Sequence, residues 1–253
     1  MIFDIKLGEI VLRKSQLVED GHTITAPASI TYLCAVSRDS VQITLTIAAL
    51  SVLDILACNI QNYYLTVKCR ELIWTTEGPE FGSEEGSIMV VKMAICGLKS
   101  SGANFRAKLE SLLNDIGYTP YKADPDVWMI PAIKSDGTEN YEYALVYVDN
   151  VLVISCVPMK KIEGIKYVFK LKGDKLEPPD VYLGASLEQV ETRVKTKCWS
   201  MSTKKYVKAA VVNLESTLTK RDMQLPTSHS PISTNYHTSE DVSNELNTQG
   251  VQA

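Results

Sequence analysis

Residues 143–155 constrain the fold most, because two apolar runs of β-branched and aromatic residues meet there at an acid-amide pair. Each run is long enough for a strand, and Asp149 and Asn150 between them are residue types that favour turns. The stretch therefore predicts a β-hairpin with a polar tip that holds a carboxylate at a turn. Turn formation alone would account for both residues, so their chemistry has to be judged from the rest of the chain.

Composition bounds the kinds of protein that the chain can be. With 253 residues, 45% of them hydrophobic and 22% charged, it can bury a substantial core and form one large or two modest domains. A net charge of −4 disfavours a surface devoted entirely to polyanions, so any nucleic-acid surface has to be local. The six cysteines lack metal-binding spacing, there is no recognisable leader, and the longest apolar region, residues 41–58, is interrupted by polar residues. We expect an intracellular protein, cytoplasmic or nuclear, with reduced thiols and no membrane span.

Hydrophobic periodicity predicts runs of helices and runs of strands. Helices are expected over residues 38–53 with Ser37 as N-cap, over the apolar stripe that ends at Gly117, over residues 158–172 before Gly173, and over residues 203–220. Their inward-facing positions are Val41, Leu45, Ala48, Ala49, Val52, Phe105, Leu109, Leu112, Leu113, Ile116, Ile162, Ile165, Phe169, Tyr206, Ala210, Leu214 and Leu218. Strands are expected within residues 3–18, 55–58, 88–93 and 180–190. Because the two kinds of element are segregated, the pattern indicates an α+β fold.

Two short motifs resemble the catalytic boxes of reverse transcriptases. Tyr147-Val148-Asp149-Asn150 is similar to the Tyr-x-Asp-Asp box, in which a hairpin tip carries metal-binding aspartates, and Asn150 stands at the second aspartate. Residues 59–65 are similar to the first catalytic box, an aspartate followed five positions later by an aromatic residue. Asn59 stands at that aspartate, and Tyr64 stands at the aromatic position.

Further motifs narrow the resemblance to copia-type retrotransposon polymerases. Residues 94–102 are close to the family's Leu-Tyr-Gly-Leu-Lys-Gln-Ser segment, with Cys96 and Ser100 in place of its tyrosine and glutamine. The Lys-Ala-Asp-Pro box recurs at residues 122–125, and residues 14–18 resemble a Lys-Ala-Arg-Leu-Val strand with Gln16 in place of the arginine. Each motif is weak by itself, but together they occur in the family's order at plausible separations.

The resemblance implies a polymerase right hand of fingers, palm and thumb, with an antiparallel palm sheet backed by helices. Partial fingers would span residues 1–35 and 66–99, the palm residues 36–65 and 100–182, and a thumb-like region residues 183–225. A disordered tail is expected at residues 226–253, where polar residues dominate. The fingers would be incomplete at the N-terminus, as in a fragment of a polyprotein-like gene.

The implied activity is RNA-directed DNA synthesis, in which two Mg²⁺ ions assist the attack of a primer 3′-hydroxyl on a deoxynucleotide. The implied partners are primer-template nucleic acid and dNTPs. The implied catalytic positions are Asp149, Asn59 and Asn150, of which Asp149 alone keeps a carboxylate for metal. The resemblance also implies nucleotide-binding roles for Tyr64, Lys14 and Tyr147, and a primer grip formed by Tyr182, Leu183 and Gly184.

Amides at two carboxylate positions predict that catalysis is lost or strongly impaired. An amide oxygen can touch Mg²⁺ but supplies no net charge. Asp54 is no substitute, because it lies five positions before Asn59 and in an extended segment the two side chains point to opposite faces. Since disturbing one supporting residue of a metal site costs roughly 10–100-fold, losing two direct ligands should exceed roughly 10²–10⁴-fold.

Two other interpretations remain open at the level of sequence. The first is a nucleic-acid-binding relic without chemistry, for which Lys204, Lys205 and Lys208 are candidate phosphate contacts. The second is an ordinary α/β protein whose motifs are coincidental. A structure in which the side chains at positions 59, 149 and 150 lie far apart would favour that interpretation.

Overall fold

The computed structural model describes residues 2–6, 12–16, 18, 33–173, 176, 178–193, 195 and 197–223. The chain divides into two compact units, Met1–Lys204 and Lys205–Ala253. The strands are β1 Ile2–Lys6, β2 Leu12–Gln16, β3 Asp54–Asn59, β4 Trp74–Thr76, β5 Ile88–Val90, β6 Thr119–Pro120, β7 Val127–Ile133, β8 Glu139–Tyr147, β9 Asn150–Ser155, β10 Val181–Tyr182, β11 Ala185–Glu191 and β12 Lys197–Ser202. The helices are α1 Arg38–Leu50, α2 Ser101–Asp115, α3 Pro158–Val168 and α4 Lys204–Lys220, with 3₁₀ helices at Tyr63–Thr66 and Pro79–Glu84. The tail expected at residues 226–253 lies outside the described residues.

An antiparallel five-stranded sheet with the order β3-β9-β8-β7-β6 forms the centre of the first unit. Its central members, β8 and β9, are the hairpin predicted from residues 143–155. Side chains of β9 alternate between the two faces, since Val151 and Val153 join one apolar cluster and Leu152 and Ile154 the other. Because successive side chains of the strand are buried on opposite faces, every position is apolar and its sequence is a continuous apolar run.

Helices cover both faces of this sheet. Apolar residues of α2 and α3 pack in the first cluster, and those of α1 pack in the second together with residues of a small sheet of order β10-β11-β12. The pairs β1-β2 and β4-β5 form two further antiparallel hairpins. Segregated helices and antiparallel strands confirm the α+β prediction. Among the described residues, no helix has the length and apolarity needed to cross a membrane.

Two helices end in the same hydrogen-bond pattern with different residues at the turn. At the end of α2, Gly117 has φ +94° and the N–H of Tyr118 donates to the carbonyl of Leu113 at 2.9 Å. At the end of α1 the N–H of Leu53 donates to Ala48 at 2.9 Å, but the turn residue is Val52 with φ +49°. This is the Schellman arrangement, in which glycine is the usual turn residue. The prediction that Gly117 ends its helix is confirmed.

Three sequence predictions about the helices are wrong in detail. Val52 was expected on the inner face of a helix over residues 38–53, but α1 ends at Leu50 and Val52 is 84% exposed. The helix over residues 158–172 ends at Val168, and Phe169 is buried in an extended conformation. Helix α4 forms as predicted, but none of its described side chains is buried, so its apolar positions are not a core face there. They are Tyr206, Ala210, Leu214 and Leu218.

Candidate active site

The ends of two neighbouring strands bring together the three residues of the predicted catalytic positions. Strand β3 pairs with β9 so that Asn59 lies opposite Asn150, and β8 pairs with β9 so that Tyr147 lies opposite Asn150. Asp149 directly precedes Asn150 in the hairpin turn. Distant side chains would have favoured the interpretation of the motifs as coincidental, and the register of the sheet places these residues next to one another.

The hairpin turn lies one residue earlier than the sequence predicted. Val148 and Asp149 form the turn, and Asn150 is already the first residue of β9. Val148 has φ +54°, an unusual conformation for a β-branched residue. Its N–H donates to the carbonyl of Cys34 at 2.9 Å, and the carbonyl of Asp149 accepts from the N–H of Ile60 at 2.7 Å. The strained turn is therefore held from both sides by neighbouring chain segments.

The amides of Asn59 and Asn150 are bonded to each other. Nδ2 of Asn59 donates to Oδ1 of Asn150 over 2.9 Å. Oδ1 of Asn59 is buried and has no hydrogen-bond partner among the described residues. A buried carbonyl oxygen without a donor costs free energy, so the pair is only half satisfied. An unpaired oxygen at this point is suited to a donor or a cation.

Asp149 forms an ion pair that sequence reasoning missed. Nζ of Lys172 lies 3.0 Å from Oδ2 of Asp149, whose side chain is 18% exposed. Lys172 reaches this position because the chain after α3 runs as an extended segment beside β3, with its N–H donating to the carbonyl of Asn59 at 2.7 Å. The alternation of Phe169 and Leu171 with Lys170 and Lys172 was the available signal, since period 2 indicates an extended segment and not a helix.

Three tyrosines lie in the segments that flank Asn59 and the turn. Tyr64, the predicted nucleotide-binding aromatic, is half-buried in a 3₁₀ helix with its ring 4.1 Å from that of Tyr63. Tyr147 ends β8 and is 38% exposed. Burial raises the pKa of Tyr63 above its ordinary value, and a hydrogen bond with Tyr64 and the negative charge of Asp149 raise it further. The motif had pointed only to Tyr64, whereas Tyr63 is the tyrosine whose pKa is raised.

The Lys-Ala-Asp-Pro box fixes the chain segment that supports the turn. Oδ2 of Asp124 accepts hydrogen bonds from the N–H of Ser37 at 3.0 Å and from Oγ of Ser40 at 2.6 Å. Asp126 is fully buried, accepts from the N–H of Ala35 at 2.9 Å, and lies 3.5 Å from Nε of Arg106. Since residues 34 and 35 lie beside the hairpin, these two carboxylates position the site without belonging to it.

The remaining predicted site residues are Lys14 and the three residues of the predicted primer grip. Lys14 pairs with Asp4 in the β1-β2 hairpin, but its side chain is outside the described part of the chain. Tyr182 is buried and its hydroxyl donates to the carbonyl of Leu145 at 3.2 Å, so its ring packs in the core. Leu183 and Gly184 form the turn between β10 and β11, with φ of +52° and +73°.

The donor set does not fit a pair of magnesium ions. A single carboxylate, that of Asp149, is present at the three positions, and it is neutralised by Lys172. Burial raises the pKa of the neighbouring Cys58 thiol to about 12, so that residue stays protonated and supplies no thiolate. Among the described residues there is no group of three or more histidine, cysteine or acidic side chains that could hold a metal ion. The site therefore has almost no net charge.

Fold and site together define an α+β protein whose antiparallel sheet presents a strained polar turn beside the end of the adjacent strand. The family model of reverse transcriptase (RNA-dependent DNA polymerase) matches residues 4–228. Because this match covers most of the chain, the protein belongs to the copia-type reverse transcriptase family. A search of curated proteins found no match. Members of the family bind template-primer and dNTPs and use Mg²⁺.

Proposed function

We propose that this chain is a reverse transcriptase domain in which nucleotidyl transfer is lost or strongly impaired. The observation that carries the proposal is the amide pair of Asn59 and Asn150 at 2.9 Å beside an Asp149 already paired with Lys172 at 3.0 Å. Two cations close together need ionised oxygen ligands to offset their mutual repulsion. A neutral cluster of two amides, one carboxylate and one ammonium supplies none of that compensation.

We assign the chain to the right-hand architecture with the boundaries that the resemblance implies. Partial fingers comprise residues 1–35 and 66–99, the palm comprises residues 36–65 and 100–182, and residues 183–225 form the thumb-like region. The central sheet and the turn at Asp149 support the palm assignment. Tyr64, Tyr147 and Lys14 would face the nucleotide, and Leu183 and Gly184 would approach the primer through their backbone, with Tyr182 anchoring that turn.

Primer extension tests the loss of catalysis. Purified protein is given primer, RNA template, dNTPs and Mg²⁺, and is compared with the Asn59→Asp/Asn150→Asp variant. Wild-type protein should extend the primer at least about 10²-fold more slowly than an enzyme with all three carboxylates. Template-dependent extension by the wild-type chain that equals that of the variant would refute the proposal.

A second function, binding of nucleic acid without chemistry, is favoured by one further observation. Lys204, Lys205 and Lys208 are all exposed in the first turns of α4, where they are available to phosphates. Binding of a labelled primer-template duplex should weaken steeply as salt rises. If the duplex fails to bind even at low salt, this function is excluded.

A further inference from the structure

A basic cavity lies beside α2, away from the amide pair. Its volume is about 390 Å³, and its wall includes Lys68, Arg70 and Lys108 together with Thr66 and Asn104. No acidic residue contributes to this wall among the described residues. The concentration of three cations contrasts with the net charge of −4 for the whole chain. The cavity therefore attracts anions although the protein as a whole repels them.

The three cations are held differently. Nζ of Lys108 donates to the carbonyl of Thr66 at 2.8 Å and lies 4.9 Å from the centre of the Phe169 ring, so it is fixed in place. Lys68 and Arg70 are exposed, and within the described residues neither has an acidic partner. One ammonium fixed in place and two cations without an acidic partner among the described residues thus line the same cavity and supply several N–H donors there.

A second observation indicates a missing acceptor. Asn104 lies in the wall of the same cavity and is 7% exposed. Its Nδ2 is buried and has no hydrogen-bond partner in the described part of the structure. Since a buried amide N–H without an acceptor costs free energy, a ligand oxygen that accepted from this N–H would remove that cost.

We propose that this cavity binds a phosphate oxyanion. Phosphate oxygens accept paired hydrogen bonds from the guanidinium of arginine and are attracted by the ammonium of lysine. A ligand with two or more negative charges therefore suits a wall with three cations. The phosphate could belong to a nucleic-acid backbone or to a free nucleotide or pyrophosphate, which share this chemistry. The cavity contains none of the residues assigned to the catalytic positions, so the inference stands independently of whether catalysis survives.

The cavity and the amide pair share supporting elements. The 3₁₀ helix Tyr63–Thr66 follows Asn59 after three intervening residues and ends at the cavity wall. Phe169, which contacts Lys108, begins the extended segment that places Lys172 at the turn. A phosphate bound in the cavity would therefore contact or adjoin two segments that also lead to the site.

The test compares two double variants of the full chain. Lys68→Gln/Arg70→Gln removes both available cations, and Lys160→Gln/Lys166→Gln removes two exposed charges from α3 as a matched control. Binding of a labelled duplex is measured by fluorescence anisotropy across a salt series, and binding of pyrophosphate by thermal shift and calorimetry. Asn104→Leu provides a third variant that keeps every charge but removes the amide.

The cavity variant should bind one of the two probes at least about tenfold more weakly than the control does. If binding of the duplex is the one that weakens, the slope of log K against log salt should flatten by about 0.9 for each phosphate that the variant no longer neutralises. This result assigns the site to the nucleic-acid backbone. If only binding of pyrophosphate weakens, the ligand is a free phosphate compound. Asn104→Leu should weaken binding of the same probe while leaving the melting temperature of the protein unchanged.

If the cavity variants bind both probes as tightly as the control does, the proposal is wrong, whether or not the chain binds duplex elsewhere.

Discussion

At the scale of single residues, the site is best described by its charge. Exchange of an aspartate for an asparagine keeps the shape of the side chain and removes one negative charge, so the hydrogen bond from Asn59 to Asn150 fills the same space as two carboxylates would. Two carboxylates in that geometry would repel each other unless a cation lay between them. The amides therefore avoid this repulsion when no metal is bound.

The Asn59→Asp/Asn150→Asp variant should accordingly be less stable than wild type in metal-free buffer at neutral pH. Two like charges about 4 Å apart at a protein surface repel by about 4 kcal/mol, part of which Lys172 would offset, so we expect a loss of roughly 2–4 kcal/mol in the free energy of unfolding. Urea unfolding measures this loss. Addition of Mn²⁺ or Mg²⁺ should restore stability to the variant and leave wild type unchanged.

Gln42→Glu on the exposed face of α1 is the matched control, since it makes the same amide-to-carboxylate change away from the site. It should alter stability by less than about 0.5 kcal/mol and should not respond to metal. A wild-type protein that Mg²⁺ stabilised as strongly as the double variant would contradict the idea of a neutral site.

At the scale of elements, the end of α1 shows a helix stop formed with an unfavourable residue. Val52 has φ +49° and is 84% exposed, so its side chain contributes little packing while its backbone is strained. Val52→Gly should therefore raise the free energy of unfolding by about 1 kcal/mol. Val190→Gly, in strand β11, should lower it by roughly 0.5–1 kcal/mol, because glycine in a strand only adds unfolded-state entropy. Thermal unfolding of both variants measures the difference, and a destabilised Val52→Gly protein would contradict this account.

Glu142 connects three elements through one buried carboxylate. Oε1 accepts from Oγ of Ser155 at 2.6 Å and from the N–H of Cys156 at 3.1 Å, and Oε2 lies 3.0 Å from Nζ of Lys161 on α3. Burial by itself raises the pKa of Glu142, but the hydrogen bonds from Ser155, Lys161 and Cys156 outweigh it and the pKa is lowered. A lowered folded-state pKa means that the ionised carboxylate stabilises the fold.

The stabilisation by Glu142 should depend on pH with a definite sign. It is fully present above the unfolded pKa of about 4.3 and is lost as the pH falls through the lower folded-state pKa. Glu142→Gln should thus cost about 1–3 kcal/mol at pH 7, and its difference from wild type should shrink below about pH 4. Urea unfolding from pH 7 to pH 3 measures this trend, with Glu139→Gln on the exposed start of β8 as control. A difference that grew on acidification would contradict it.

Elements with uninterrupted periodicity were predictable from the sequence, and their ends and long-range contacts were not. The apolar alternation of residues 143–155 and the stripe of α2 each follow from a single local pattern. The helix ends predicted at residues 53 and 172 were wrong because apolar spacing of the helical kind continued past each true end. Local hydrogen bonds turn the chain at residues 51–53, and hydrogen bonds with residues 59 and 61 hold residues 170–172 extended. The ion pair of Lys172 with Asp149 depends on a segment docking beside β3, which no periodicity reveals. The family motifs indicated where the amides would meet, but not that they would bond to each other.

At the scale of the whole molecule, the charge distribution sets the kind of nucleic-acid binding to expect. A net charge of −4 gives no long-range attraction to a polyanion, so association depends on local groups such as the cavity of Lys68, Arg70 and Lys108. We expect a dissociation constant for duplex within about 10⁻⁴–10⁻⁶ M at physiological salt, the range of non-specific binding. Fluorescence anisotropy with duplexes of unrelated sequence measures it. Nanomolar affinity, or strong discrimination between sequences, would contradict this expectation.

Residues 151–154 of β9 are completely enclosed between the two apolar clusters. The strand that delivers position 150 to the turn is therefore held in place by apolar burial, whatever side chain stands at that position. An exchange of the side chains at positions 59 and 150 would leave this scaffold intact, and carboxylates placed there would find the backbone already in position. The charge of the rim can thus change by side chains alone on an unchanged frame.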